Sequence, residues 1–236
     1  MQIKLIYLKI FSVWMRVLRM MKLITFISLF KKSKNPSLAW MTLISLCFCM
    51  NLKDAEAHEI PSDVLVRSYF KADTEAVNLL VRVPLEAMRD MNFPTKGPGY
   101  LDLKEMPDLT LDAAEIWLGN FVDVYAGEKK IADWKIAKTR ISLPSDRSFA
   151  DYQKAYESFS LAPLSEKTLL HHDQALLDVL ITYPLETNDI NFSIDLNFGG
   201  LGLNTTTVLT FVTLEGANRI FEFTGSPGLV ELDPTW

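Results

Sequence analysis

Downstream of residue 57, seven stretches place apolar residues at about every second position, and this alternation limits the possible folds more than any other feature of the chain. Successive side chains of a β-strand point to opposite faces, so such a run buries one face and leaves the other wet or covered separately. "VLVRSYFK" (64–71) and "AVNLLVRVPL" (76–85) flank a polar turn at Asp73 to Glu75 and predict a strand pair. "FVDVYAG" (121–127) ends at a Gly turn, and "ALLDVLITYPL" (175–185), "INFSIDLNF" (190–198), "TTTVLTFVTL" (205–214) and "RIFEFTG" (219–225) continue the pattern. Two segments read as helices instead. Leu111 to Asn120 carries an Asp112-x-x-Glu115 capping pair, and Phe149 to Phe159 follows Ser148, with Asp151 three residues on. Pro94, Gly97, Pro98 and Gly99 mark a loop, as do Pro163 and Ser165, and no internal repeat occurs. The expected fold is mainly β: a β-sandwich-like single domain with one or two short helices.

The first 57 residues read as an address. Leu38 to Met50 ("LAWMTLISLCFCM") is an uncharged run of signal h-region length, with Lys31, Lys32 and Lys34 upstream and the small-x-small triplet Ala55-Glu56-Ala57 downstream. The run is short for a membrane span, which takes about 20 apolar residues, and Lys53 and Asp54 close it. Cleavage after Ala57 is therefore expected, leaving an extracytoplasmic domain of residues 58–236. Leu46 and Phe48 are too large to precede a lipidated Cys47 or Cys49, so a lipoprotein is rejected. Residues 1 to 30 exceed what a signal needs and are broken by Lys4, Lys9, Arg16, Arg19 and Lys22. Met20 or Met21 is the expected initiator, with a basic amphipathic surface helix as the second reading.

Splitting the chain there changes its charge. The leader takes nine of the 24 basic and two of the 29 acidic residues, so 58–236 has a formal charge of −12. An acidic domain with no basic face argues against nucleic acid as a partner. Both cysteines leave with the leader, so no disulfide is expected even in an oxidising compartment. Stability then rests on burial, for which 179 residues suffice.

Chemistry-bearing motifs are few. "NFGGLGLN" (197–204) has the glycines of a phosphate loop but neither the following helix nor a Lys-Ser/Thr pair, and a hairpin turn is expected there. "SLPSDRSFADY" (142–152) gathers Ser145, Asp146, Arg147 and Ser148, which suits an anion site at a helix N-terminus. Capping plus an Asp-Arg pair accounts for the same residues more simply. G-x-S-x-G, H-E-x-x-H and C-x-x-C are all missing from 58–236. His171 and His172 adjoin Asp173, but neighbours in a strand face opposite ways and could not both bind one ion without a bulge; a solvated loop is the expected setting. His58 is the single candidate metal ligand. Processing would make it the first residue, where amine and imidazole together suit a Ni(II)- or Cu(II)-like ion, although a plain polar start is the simpler explanation. No resident cofactor and no catalytic residue is assigned.

Taken together, "HEIPSDVLVRSYFK", "LLVRVPLEAMRDMNFPTKGPGYLDL", "SLPSDRSFADY", "QALLDVLITYPL" and "FEFTGSPGLVELDPTW" resemble the exported N-terminal region of the large HupE/UreJ-type bacterial membrane proteins, across essentially all of 58–236. The resemblance implies a signal peptide and a periplasmic domain ahead of transmembrane helices, with shorter relatives linked to nickel or cobalt uptake. It implies a membrane protein, or a membrane-embedded continuation of the same family, as partner. The family's transmembrane His/Asp motif lies beyond the blocks matched here, so no transport residue is carried over. A split or truncated product and a free-standing periplasmic domain both remain open.

Two functions follow. One is a non-catalytic periplasmic domain that binds a partner or ligand beside a membrane transporter. The other is a periplasmic enzyme whose Asp/Glu/His site is assembled only on folding. A deep pocket with convergent carboxylates and His171 or His172 would favour the enzyme.

Overall fold

A computed structural model describes residues 60–185 and 191–233. Twelve strands and two α-helices are formed among them. The larger sheet has six strands in the order β11-β10-β1-β2-β8-β7: Asn218–Thr224, Asn204–Val212, Asp63–Ala72, Ala76–Pro84, Leu176–Pro184 and Lys135–Ser142. All neighbours in it are antiparallel except β1 and β10. A second sheet has the order β12-β9-β5-β6: Leu229–Leu232, Phe192–Leu196, Val122–Ala126 and Lys129–Lys130. Thr95–Lys96 (β3) and Tyr100–Leu101 (β4) form a small ribbon. The fold is thus mainly β and sandwich-like, as the alternation predicts. No described helix is long and apolar enough to cross a membrane.

The period-two pattern decides which residues meet between the sheets. Val64, Val66 and Phe70 of β1, with Leu79, Val81 and Val83 of β2 and Leu177, Val179 and Ile181 of β8, are buried in one cluster with Val124, Ile194 and Leu196 of the second sheet. The Phe70 and Phe192 rings join the two layers with centroids 5.6 Å apart. Each such aliphatic or aromatic side chain contributes about 1.5–3 kcal/mol on burial. Helix α1 (Met106–Trp117) closes this core with Met106, Ala113 and Ala114. It starts five residues before the expected Leu111, because Pro107 occupies the first turn, where its missing N–H costs nothing.

The other face of β2 and β8 is covered separately. Leu80 and Leu180 pack under Phe149, Ala155 and Phe159, brought by a 3-10 turn (Ser148–Ala150) and helix α2 (Tyr152–Ser158). Asp151 rather than Ser148 caps α2, accepting the Lys154 backbone N–H at 2.9 Å. Strand β7 depends on one irregularity. Ile136 lies opposite Ile181 and Lys138 opposite Leu180, so Ala137 is an extra, bulged residue. Beyond it, Thr139 and Ile141 align with core-facing Val179 and Leu177, and Arg140 aligns with Asp178 on the opposite face.

The "NFGGLGLN" segment corrects the hairpin expectation. Strand β9 pairs with β5 and β12, whereas β10 pairs with β1 and β11, so residues 197–203 carry the chain from one sheet to the other. A Cβ at Gly202 would stand 2.6 Å from Val64 Cγ2 and 3.1 Å from the Pro61 carbonyl oxygen, so this glycine serves close packing.

Candidate functional site

Two features stand out among the described residues, and they meet at Arg140. The first is a buried ionic row. Arg82, Asp178 and Arg140 are directly paired across β2, β8 and β7, on the face covered by residues 146–159. Arg82 donates Nε to Asp178 Oδ1 at 2.6 Å and Nη2 to Oδ2 at 2.8 Å, and Arg140 Nη1 reaches Oδ2 at 3.3 Å. Asp146 closes the group from the connecting segment. It accepts from Arg82 Nη2 at 3.1 Å, from Arg140 Nη2 at 2.7 Å, and from the Ser148 N–H and hydroxyl at 2.8 and 2.5 Å. Arg82 also lies 4.3 Å from the Phe149 ring centroid, a cation–π contact.

The electrostatics follow from that geometry. Burial opposes the charge of Asp146, but the hydrogen bonds from Ser148, Arg140 and Arg82 hold its carboxyl far below the ordinary 3.8. Burial likewise opposes the charge of Arg82, yet its bonds to Asp178 and Asp146 raise its pKa above the usual guanidinium value. Asp178 has no exposed side-chain surface, and there burial prevails over both arginines, moving its carboxyl above the ordinary value. With two guanidiniums facing two carboxylates, the row is neutral in its ionised form and its strongest donors are occupied.

The second feature is a cleft of about 300 Å³ at the free edge of β7, the last strand of its sheet. Helix α1 forms one wall with Met106, Pro107 and Thr110, and β7 forms the floor with Thr139, Arg140 and Ile141. Phe159, Leu161 and Leu164 form the far wall, with Leu161 62 % exposed at the lip. Thr110 Oγ1 donates to the Pro107 carbonyl at 2.8 Å and lies 2.9 Å from Thr139 Oγ1. The volume sits at the low end of the roughly 300–1,000 Å³ of ligand pockets, and apolar walls with a few placed polar groups are their usual make-up.

The residues singled out in the sequence fall elsewhere. His58, the candidate metal ligand, lies outside the described residues, as do the leader and its h-region at 38–50. His171 sits in an isolated bridge to Tyr100, its Nδ1 2.5 Å from Asp173 Oδ1, and packs edge-on against the Tyr100 ring. His172 begins the next 3-10 turn, and neither histidine lines the cleft. Among the described residues no three His, Cys, Asp or Glu side chains are grouped to hold a metal ion. Asp146 does enter an Asp-Arg pairing, with Arg82 and Arg140 rather than the adjacent Arg147. Sequence reasoning missed Arg82, Asp178, Thr139 and Arg140. The signal for the first two was a single charge inside each of two apolar runs, "NLLVRVPL" and "ALLDVLITYP", where a strand can keep a charge only with a partner opposite.

Comparison with models of known protein families finds none that matches this chain, and comparison with curated proteins finds no match.

Proposed function

We propose that residues 58–236 form an exported, non-catalytic binding domain that works beside a membrane protein and takes its ligand in the cleft between α1 and β7. One observation carries this reading. The strongly ionic side chains are closed on one another across β2, β8 and β7, while the open concavity next to them has apolar walls and contains neither histidine. A site of that make-up holds a molecule by shape and offers little for proton transfer or nucleophilic attack. Export is supported by the order of Lys31–Lys34, the apolar 38–50 run and the Ala55-Glu56-Ala57 triplet. The block resemblance to HupE/UreJ-type ectodomains supports a membrane-embedded partner and, through that family, a link to nickel or cobalt handling.

The test is photo-crosslinking in a bacterium that makes the full chain together with a HupE/UreJ-type membrane protein, with the photoreactive residue at Leu161 on the lip of the cleft. An adduct with the integral membrane protein, carried by a chain beginning at His58, is the expected result. Retention of the leader in the exported pool, lack of any adduct, or turnover of a metabolite with kcat/KM above roughly 10⁴ M⁻¹s⁻¹ would overturn the reading.

A further inference from the structure

Counting protons on two hydroxyls gives the cleft a polarity. Thr110 Oγ1 has one hydrogen, and the Pro107 carbonyl 2.8 Å away can only accept it. The 2.9 Å contact between Thr110 and Thr139 must therefore be donated by Thr139. That fixes the Thr139 hydroxyl hydrogen on Thr110 and leaves the Thr139 oxygen with acceptor capacity in a cleft whose other walls are largely apolar. The neighbouring guanidinium of Arg140 provides no opposing pull for an anion, because Asp146 and Asp178 neutralise it.

We infer that the cleft takes a small, neutral, largely apolar molecule bearing one N–H or O–H group, which donates to Thr139 Oγ1. The bulge at Ala137 is what turns Thr139 to this side of the sheet, so backbone register and ligand polarity are linked. An apolar molecule without a donor leaves the Thr139 oxygen buried and unpaired, and so binds more weakly. A carboxylate finds no uncompensated cation among the residues lining the cleft; Lys138, whose ammonium donates to the Phe159 carbonyl at 3.3 Å, is not one of them. The inference rests on the cleft being the binding site and is independent of export and of a membrane partner.

The probes are indole and benzothiophene, bicyclic molecules of closely similar shape of which only indole has an N–H. Binding is followed on protein processed from the full chain by NMR of labelled isoleucine methyls. Ile141 reports on the cleft and Ile194, buried between the sheets, serves as control. Indole is expected to bind about three- to tenfold more tightly than benzothiophene, the range supplied by one net hydrogen bond. Thr139→Val should remove this preference by weakening indole alone, Thr139→Ser should keep it, and an unmoved Ile194 methyl shows the fold intact in both. Equal affinities in the wild type, or a preference that survives Thr139→Val, overturn the assigned polarity while leaving the cleft a binding site. Failure of both probes to shift Ile141 overturns the inference entirely, and the crosslinking result is unaffected by either outcome.

Discussion

Arg82 and Asp178 face each other across β2 and β8 with two hydrogen bonds, of 2.6 and 2.8 Å, in a place where neither side chain has more than 6 % of its surface exposed. A pair so placed is costly to break and cheap to replace as a whole, since the loss from removing one partner is mostly the desolvation of the charge left behind.

Arg82→Ala or Asp178→Ala should each lower stability by about 3–5 kcal/mol in urea unfolding. Arg82→Met combined with Asp178→Leu should recover most of that loss, because Arg140 and Asp146 still hold each other at 2.7 Å. A double variant as unstable as the worse single one would show that the pair itself, rather than the stranded charge, supports the fold.

Acid should weaken the domain through Asp146. Its folded carboxyl titrates far below the ordinary 3.8, so its contribution is complete above that value and is lost as pH falls toward the lower folded pKa. The stability gap between wild type and Asp146→Asn should therefore be constant from pH 5 to 7 and shrink steadily below about pH 4. Asp178, which burial shifts upward, works in the opposite sense and shares Arg82 and Arg140 with Asp146, so the same gap measured in an Asp178→Asn background isolates the Asp146 contribution. A gap that widens on acidification would contradict the assignment.

Asp151→Ala removes the cap of α2 and should cost about 1 kcal/mol. Because α2 covers Leu80 and Leu180, hydrogen exchange should speed up first at the amides of residues 152–158. Uniform acceleration throughout the sheet would instead mean that α2 opens only with the whole domain.

Gly202→Ala should destabilise by about 1–3 kcal/mol through overpacking against Val64 and the Pro61 carbonyl. Val64→Ala in the same chain should relieve part of the clash, and thermal melts of the two single variants and the double variant would show it. Strictly additive losses would place the cost elsewhere.

What could be read from the sequence was whatever alternation controls by itself. Strands β1, β2, β5 and β8 to β11 fall within two residues of the expected runs, because each has a face committed to the core. Strand β7 escaped notice. It is an edge strand carrying Lys135, Lys138 and Arg140, and its bulge interrupts the period that reveals a strand. Short β12 (Leu229–Leu232) has one buried residue, Leu232, and so leaves no pattern to find. The cleft was invisible for a related reason. Its walls come from α1, β7 and the segment after α2, and only the three-dimensional path of the chain brings Thr110 to Thr139. The partner of Asp146 was sought next door, at Arg147, when cross-strand register supplied Arg82 and Arg140 from a distance.

Ala137 gives β7 something like a reading frame. Iron the bulge out, with Ile136 kept opposite Ile181 and Ala137 paired with Leu180, and every later residue moves over by one: Lys138 is set against Val179 and Arg140 against Leu177, toward the core, while Thr139 and Ile141 turn outward. That one-residue slip would deprive Asp178 and Asp146 of their second guanidinium and take the acceptor oxygen out of the cleft. The unpaired state of Ala137, rather than the length of the strand, keeps the count: a β7 shortened by that residue still sets Lys138 against Leu180 and Arg140 against Asp178, whereas one that pairs it does not.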